Sequence, residues 1–277
     1  MLLQLIKYEK SDKELAIIQE AVKIADAAMR GMLAVTVPGL TELQVASVGD
    51  YIMKALGAGR TGFCTIVTSG DRNYTIIGPA TNKVIHKGEM VSLGVSPTFN
   101  GYHGVVRRTV RAGEEPTPEQ RDFLEAVEGL YVVVIEALKE AARENLPSNY
   151  VDKRGKEYLE QLKLKSLTGK LLTPREPYTF IHNTGCSECQ EGYGAITPYT
   201  ENPVGREVAL AIDVALTGFE KRGKPLFPVL YAVIEDTIWK KGSEVGVYNR
   251  LPLNVQHLVG NLNPLGDNVN PYHKEFR

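Results

Sequence analysis

The hydrophobic positions of this chain repeat at two different spacings, and the changes between them divide the sequence into segments. Ser11 and Glu14 have the spacing of a capping box, in which a hydroxyl residue at the helix start is followed by a glutamate three residues later. Apolar residues then recur every three or four positions, which predicts an amphipathic helix. Its apolar face consists of Leu15, Ile18, Val22, Ala25, Met29 and Met32.

A second, shorter helix is predicted after the turn at Pro38. Thr41 and Gln44 form another capping-box pattern, and an apolar stripe follows at Val45, Val48, Ile52 and Leu56. From residue 63 to residue 110 the pattern changes to short β-rich runs separated by glycine- and proline-containing turns. Within them, residues 91–110 are predicted to form two strands and a turn.

The same order of elements then recurs. Thr117 and Gln120 give a third capping box, with Pro118 at the first helical position, and a long helix is predicted after it. A shorter helix is predicted to end near Leu162. The β-rich runs that follow cover residues 178–181, 207–217, 229–240 and 245–248.

This repetition predicts one α+β domain over residues 1–277 with two pseudo-equivalent halves, at about 11–112 and 117–249. The helices are expected to lie outside a curved, mainly antiparallel sheet, and residues 250–277 are expected to be irregular.

Composition narrows the class of protein. The 277 residues carry a net charge of −1, so no broad attraction to nucleic acid or to a membrane surface is expected. No apolar run approaches the roughly 20 residues of a membrane-spanning helix, and the first 14 residues are a poor signal peptide. Three cysteines do not form an even disulfide framework, which favours a reducing, cytoplasmic location.

Several segments of the chain occur in a characteristic order: IGPATNKVIHKGE at 77–89, FNGY at 99–102 with RT at 108–109, IHNTG at 181–185, AIDV at 211–214 and IEDTI at 234–238. Together they resemble the pita-bread family, which includes methionine aminopeptidase, Xaa-Pro aminopeptidase, prolidase and creatinase. The resemblance implies a pita-bread fold with two pseudo-symmetric halves. It also implies a small-molecule substrate and a homodimer, while the net charge of −1 predicts no nucleic-acid or membrane partner.

For the metallopeptidase members, the resemblance implies two divalent ions held by two aspartates, a histidine and two later carboxylates, which together activate a water molecule. The histidine falls at His182, and the later carboxylates fall at Asp213 and Glu235. The two aspartate positions fall at Gly94 and Val105, which have no ligand atom. We therefore expect no dinuclear centre and no metal cofactor.

Creatinase, a metal-free member, offers a second comparison. Its site histidine falls at Ile76 or Ile77 and one of its glutamates falls at Arg107, so creatine is not the expected substrate. Strand alternation places His103 and Arg107 on the same face as position 105.

Because a guanidinium is permanently charged, Arg107 is hypothesised to supply the positive charge that metals supply elsewhere. It would pair with Asp213 or Glu235, or bind a substrate carboxylate. The alternative is a purely structural neutralisation of leftover acids. The predicted catalytic residues are His182, Glu235 and Asp213. The predicted substrate-binding residues are Arg107, His103, Tyr102 and Cys189.

Cys186 and Cys189 form a CxxC pattern shortly after His182, which suggests zinc binding or a redox pair. The only other cysteine is Cys64, so the favoured interpretation is two small residues in a loop. The family carries a second histidine at the position of Cys189, which would then line the pocket. A Cys189 thiolate activated by His182 or Arg107 is a further hypothesis.

Three functions remain open from the sequence. The favoured one is a metal-independent hydrolase, or a related lyase, acting on a C–N bond of a small polar, carboxylate-bearing, amino-acid-like compound. The second is a catalytically degenerate pita-bread binding protein, which the residues at Gly94 and Val105 favour. The third is an Xaa-Pro-type metallopeptidase with an atypical metal on His182, Asp213 and Glu235.

Overall fold

The computed structural model describes residues 2–172, 175–189, 191–221, 224–225 and 227–261. The helices of this part are α1 (Leu2–Ile6), α2 (Asp12–Ala34), α3 (Glu42–Ala55), α4 (Pro118–Glu144) and α5 (Asn149–Gln161). All three predicted capping boxes are present, with Ser11, Thr41 and Thr117 as the cap residues. Each cap side chain accepts a hydrogen bond from the backbone N–H three residues later, which fixes where the helix begins.

Strands alternate with these helix pairs. In the first half they are β1 (Ile66–Ser69), β2 (Met90–Val95), β3 (Thr98–Phe99), β4 (Tyr102–His103) and β5 (Val106–Arg111). After α5 they are β6 (Leu164–Lys165), β7 (Leu171–Leu172), β8 (Ile181–Asn183), β9 (Glu207–Thr217), β10 (Phe219–Lys221), β11 (Lys224–Pro225), β12 (Tyr231–Lys241) and β13 (Glu244–Val247). The order helix, helix, strands thus occurs twice, while the exact division into halves stays an interpretation.

One antiparallel sheet joins the two groups of strands. Its order is β1-β2-β5-β12-β9-β8, with β13 paired to the far end of β12. The junction is the pairing of β5 with β12, where Arg107 lies opposite Glu235. Strands from both halves therefore meet at the centre of the sheet.

The two faces of the sheet differ in chemistry because successive side chains point to opposite sides. On the helix face, α4 and α5 cover apolar residues of β9 and β12 such as Ile212 and Ile234, and α2 and α3 cover those of β2 and β5 such as Leu93 and Val110. The opposite face carries Arg107, Asp213 and Glu235.

The structure refines several predicted elements. The strands predicted within 91–110 are β2 and β5, but a small hairpin of β3 and β4 lies between them. The strand predicted at 207–217 is confirmed, whereas the one predicted at 178–181 is observed at Ile181–Asn183. Residues 250–261 include a short 3-10 helix at Gln256–Leu258, and the rest of the predicted tail, 262–277, lies outside the described residues. Within the described chain, no helix is long and apolar enough to span a membrane.

Candidate active site

Strand register brings three of the predicted site residues together with Gly94. Gly94, Arg107, Glu235 and Asp213 lie opposite one another on β2, β5, β12 and β9, so their positions form one row across the sheet. His182 on β8 is one pleat away from Asp213 on the same face. Arg107, His182, Asp213 and Glu235 are all buried. The cluster therefore lies on one face of the sheet, from the central strands β5 and β12 to the terminal strand β8.

The guanidinium of Arg107 is held by several protein groups. Nη1 and Nη2 donate to the Tyr178 hydroxyl at 2.7 Å, Asp213 Oδ1 at 3.3 Å, the Tyr231 hydroxyl at 2.8 Å and the Ile76 carbonyl at 2.9 Å. Its Nε lies 3.8 Å from Glu235 Oε2. The pairing hypothesised for Arg107 is thus present in the geometry. The N–H groups of Nη1 and Nη2 already have acceptors within the protein, and a substrate-binding role for Arg107 stays a prediction.

His182 directs one ring nitrogen into this cluster. Nδ1 lies 3.2 Å from the Asn183 carbonyl, which can only accept, so Nδ1 carries a proton. Nε2 lies 3.4 Å from Glu235 Oε1 and 3.6 Å from Cys189 Sγ. His182 and Glu235 are thus close enough to exchange a proton, directly or with a small shift.

The cluster contains more acid than base. Burial, together with the neighbouring Asp213, raises the pKa of Glu235 to about 8. Burial also raises the pKa of Asp213, although the Arg107 guanidinium opposes this. Burial disfavours the charged imidazolium, but contacts with Cys189 and Glu235 raise the pKa of His182 well above its usual value. Two carboxyl groups facing one guanidinium leave a surplus of negative charge that favours binding of a proton.

The loop after β8 adds two further groups. Cys189 Sγ donates to Glu188 Oε1 at 3.2 Å, and the same oxygen lies 3.8 Å from His182 Nε2. Cys189 is exposed and has a φ of +63°, a left-handed conformation that is uncommon for a residue other than glycine. The predicted proximity of Cys189 to the site histidine is thus present, while its reactivity stays untested.

The N-terminal segment anchors this loop. Lys10 and Glu191 form a fully buried ion pair with Nζ and Oε2 2.6 Å apart. The other Glu191 oxygen accepts from the Ser187 backbone N–H at 2.9 Å, and Lys7 Nζ donates to the Ser187 hydroxyl at 2.8 Å. The loop that carries Glu188 and Cys189 is therefore held by residues distant in sequence.

The two remaining predicted residues lie in different places. His103 contacts the loop, because its backbone N–H donates to the Gly185 carbonyl at 2.7 Å and its Nδ1 lies 3.0 Å from the same oxygen. The Tyr102 hydroxyl instead donates to Glu14 Oε1 on α2 at 2.7 Å. The structure brings His103 to the edge of the site but directs Tyr102 toward α2. Their substrate-binding roles stay predictions.

Three residues of the cluster were missed by the sequence analysis. Tyr231 lies an even number of residues before Glu235 on β12, so strand alternation could have placed both side chains on the same face. Tyr178 precedes β8 without any periodic signal, and Glu188 lies in a loop. The β-rich run predicted at 178–181 included Tyr178 but did not indicate which group its hydroxyl contacts, and Glu188 had no local pattern at all.

The space beside Gly94 is filled by Arg107. A Cβ atom added to Gly94 would lie 2.8 Å from Arg107 Cγ and 3.3 Å from Ile66 Cδ1. Val105 is fully buried, and its backbone N–H donates to Thr237 Oγ1 at 2.8 Å. Arg107 therefore occupies space that a side chain at position 94 would need, so glycine at this position and the observed arginine conformation fit together.

Comparisons with known proteins agree with this architecture. The profile of metallopeptidase family M24 matches residues 16–263, which is most of the chain. The chain belongs to metallopeptidase family M24. Among solved structures, the prolidase from Pyrococcus furiosus has a TM-score of 0.75 and 22% identity, covering 91% of this chain and 68% of that one. The Xaa-Pro dipeptidase from Bacillus anthracis has a TM-score of 0.73 and 21% identity, covering 92% of this chain and 65% of that one. The predicted pita-bread fold is confirmed.

Curated relatives have higher sequence identity to this chain than these solved structures, over shorter segments. The Xaa-Pro dipeptidase of Pyrococcus furiosus is 31% identical over 155 residues, which is 55% of this chain and 42% of that protein. The uncharacterized peptidase YqhT of Bacillus subtilis is 36% identical over 118 residues, which is 43% of this chain and 33% of that protein. The matching segments thus span less than half the length of these relatives.

Proposed function

We propose that this M24 chain hydrolyses the C–N bond of a small, amino-acid-like compound without a dinuclear metal centre. The observation that carries the proposal is the buried Arg107 guanidinium, which contacts Asp213 and approaches Glu235. Membership of a peptidase family supports hydrolysis. The arginine supports a site in which a fixed side-chain cation stands where the resemblance implies metal ions.

The residues present do not fit a pair of divalent ions. The ligand atoms of His182, Asp213 and Glu235 lie within 4.8 Å of one another, as a metal site requires. However, Arg107 Nη1 is 3.3 Å from Asp213 Oδ1, so a positive charge already lies against one of these ligands. Two dications beside a buried guanidinium would repel it strongly. Gly94 and Val105, at the positions where the resemblance expects aspartates, offer no compensating carboxylates.

The remaining groups suit proton transfer. In amide hydrolysis, water adds to the carbonyl carbon and loses a proton, and the C–N bond breaks as the departing nitrogen gains one. His182 Nε2 faces Glu235 Oε1 at 3.4 Å, so this pair can take the proton from water and return it to the nitrogen. Arg107 balances the charge of Asp213 and keeps that carboxylate in place beside the pair.

Xaa-Pro dipeptides are the first substrates to test because relatives of this chain are named Xaa-Pro dipeptidases. Recognition of a substrate carboxylate by Arg107 has less support, since its Nη1 and Nη2 already donate to protein acceptors. Homodimer formation and a cytoplasmic location are kept as predictions from the sequence.

Two alternatives have specific support. A single-metal peptidase is favoured by the mutual proximity of His182, Asp213 and Glu235. A binding protein without turnover is favoured by the enclosure of Arg107 among tyrosine hydroxyls, which resembles a structural neutralisation of buried acids.

A panel of Xaa-Pro dipeptides and N-substituted amino acids, assayed before and after exhaustive treatment with a chelator, separates these functions. We expect hydrolysis that survives chelation and is lost in Glu235→Gln, while the exposed control Glu136→Gln stays active. Activity that disappears with the metal and returns when Mn²⁺ is added would support the single-metal alternative. Tight binding without any turnover would support the binding protein.

A further inference from the structure

We propose that His182, Glu188 and Cys189 form a binding site for one zinc ion at the outer edge of the cluster. Only His182 belongs to the ligand set that the resemblance implies, and the other two ligands come from the loop after β8. The CxxC pattern indicated zinc only weakly, because a second ligand pair was missing. In the folded chain, Glu188 and His182 supply the missing ligands to Cys189. The binding claim does not depend on the proposed hydrolysis.

The three ligand atoms have the separations that a tetrahedral ion needs. His182 Nε2 lies 3.6 Å from Cys189 Sγ, Sγ lies 3.2 Å from Glu188 Oε1, and that oxygen lies 3.8 Å from Nε2. Zinc bonds to nitrogen, sulfur and oxygen at tetrahedral angles give edges of about 3.4 to 3.6 Å. Each observed edge is close to this range, so an ion can enter with small shifts of the side chains.

The chemistry of the donors selects a borderline-soft ion. A thiolate, an imidazole and a carboxylate together suit zinc better than magnesium, calcium or manganese. The Asn183 carbonyl accepts from Nδ1 of His182, so Nε2 is the ligand atom and binds the ion after it gives up the proton that it exchanges with Glu235. Cys189 is exposed, which gives the ion a path from solvent, and three protein ligands leave the fourth position for water.

The loop is held in place, so the site is largely formed before the ion arrives. The buried pair of Lys10 and Glu191 fixes its far end, and Ser187 is bound by both Glu191 and Lys7. Cys189, in the same loop, has a left-handed backbone, and its sulfur lies 3.6 Å from His182 Nε2.

Charge explains why the ion binds at the outer edge. Arg107 lies against Asp213 on the inner side of the cluster, which excludes a second cation there. Glu188 and the thiolate supply two negative charges on the outer side, enough to neutralise one dication. Because zinc takes the Nε2 lone pair, metal binding and proton exchange between His182 and Glu235 exclude each other.

Cobalt is the probe that tests the site, because a thiolate bound to Co²⁺ gives a charge-transfer band in the near ultraviolet. We expect the metal-stripped full chain to bind one equivalent of Co²⁺ with this band, and Zn²⁺ to displace it. Cys189→Ser should lose the band and bind at least about tenfold more weakly. Cys186→Ser is the matched control from the same loop and should behave like the native chain.

The same titration can overturn the proposal. A band that persists in Cys189→Ser, or binding of two equivalents with no thiolate band, would place the metal on other ligands. Absence of any Co²⁺ or Zn²⁺ binding by the native chain would also reject the site. Unfolding curves of each variant show whether weaker binding comes from a lost ligand or from a destabilised fold, and Glu188→Gln gives a second, cysteine-independent test.

Discussion

Two neighbouring arginines of β5 meet buried carboxylates on opposite faces of the same sheet. Arg107 lies on the face that carries the candidate site. Arg108 points to the helix face, where its Nη2 is 2.9 Å from Asp236 Oδ1 and the Tyr131 hydroxyl donates to Asp236 Oδ2 at 2.9 Å. Both guanidinium groups also donate to backbone carbonyls. In local contacts the two arrangements are very similar.

They differ in charge balance and in access. Arg108 faces one carboxylate under α4, and the carbonyls of Leu251 and Pro252 complete its shell. Arg107 faces both Asp213 and Glu235, next to a loop with an exposed cysteine. A buried arginine–carboxylate pair is therefore no sign of function in itself. The surplus carboxylate and the exposed edge distinguish the candidate site from the structural pair.

The largest expected effect on stability is at the ion pair of Arg108 and Asp236, whose charges balance. Arg108→Met leaves Asp236 buried without its cation, and we expect a loss of about 4 kcal/mol in the free energy of unfolding. Urea denaturation measures it. The double variant Arg108→Met with Asp236→Leu should recover most of the loss, because both charges are then removed. A loss below about 1 kcal/mol in the single variant would contradict the structural role.

Removal of the site arginine should cost less stability but more function. We expect Arg107→Met to lose about 2 to 3 kcal/mol, because the imidazole of His182, 3.4 Å from Glu235 Oε1, remains to balance part of the negative charge. Arg107→Met should also abolish hydrolysis of any compound in the substrate panel that the native chain cleaves. Urea denaturation and the activity assay, run beside Arg108→Met, check both. Unchanged stability and activity in the Arg107 variant would contradict the role of Arg107 in the candidate site.

Filling the space at Gly94 tests how closely this position and Arg107 are matched. The new Cβ of Gly94→Ala lies against Arg107 Cγ, and we expect a cost of about 1 to 2 kcal/mol from overpacking. The same change in an Arg107→Ala background should cost about 1 kcal/mol less, which a double-mutant cycle measures. Additive effects would show that the two residues are not coupled.

The smallest expected effects come from the two tyrosine hydroxyls. Tyr178 Oη donates to Asp213 Oδ1 at 3.0 Å, and Tyr131 makes the corresponding bond to Asp236. We expect Tyr178→Phe and Tyr131→Phe each to lose about 1 kcal/mol, as for a typical hydrogen bond. Only Tyr178→Phe should alter hydrolysis. An equal change in activity in both variants would remove the distinction between the two faces.

The helix starts and the strand faces of the site residues were predictable from the sequence, but the strand pairing that brings these residues together was not. The capping residues Ser11, Thr41 and Thr117 indicated the helix starts because their signals are local. Alternation placed Arg107, Asp213 and Glu235 on defined strand faces. The pairing of β5 with β12 is a long-range contact and leaves no local pattern.

Two partners of the site depended on such long-range placement. Tyr178 and Glu188 reach the cluster from segments without periodicity, so they had to be found in the folded chain. Tyr102 was predicted as a substrate-binding residue, but in the small hairpin of β3 and β4 its hydroxyl donates to Glu14.

The claim that Arg107 takes the place of a metal pair is tested by a crystal structure of the chain grown with excess Mn²⁺, using anomalous scattering to locate any bound ion. Manganese prefers oxygen and nitrogen ligands, so it probes the inner carboxylates rather than the thiolate. We expect no anomalous peak between Asp213 and Glu235, with the Arg107 guanidinium held against Asp213. Two manganese peaks bridged by these carboxylates, with Arg107 displaced, would contradict it.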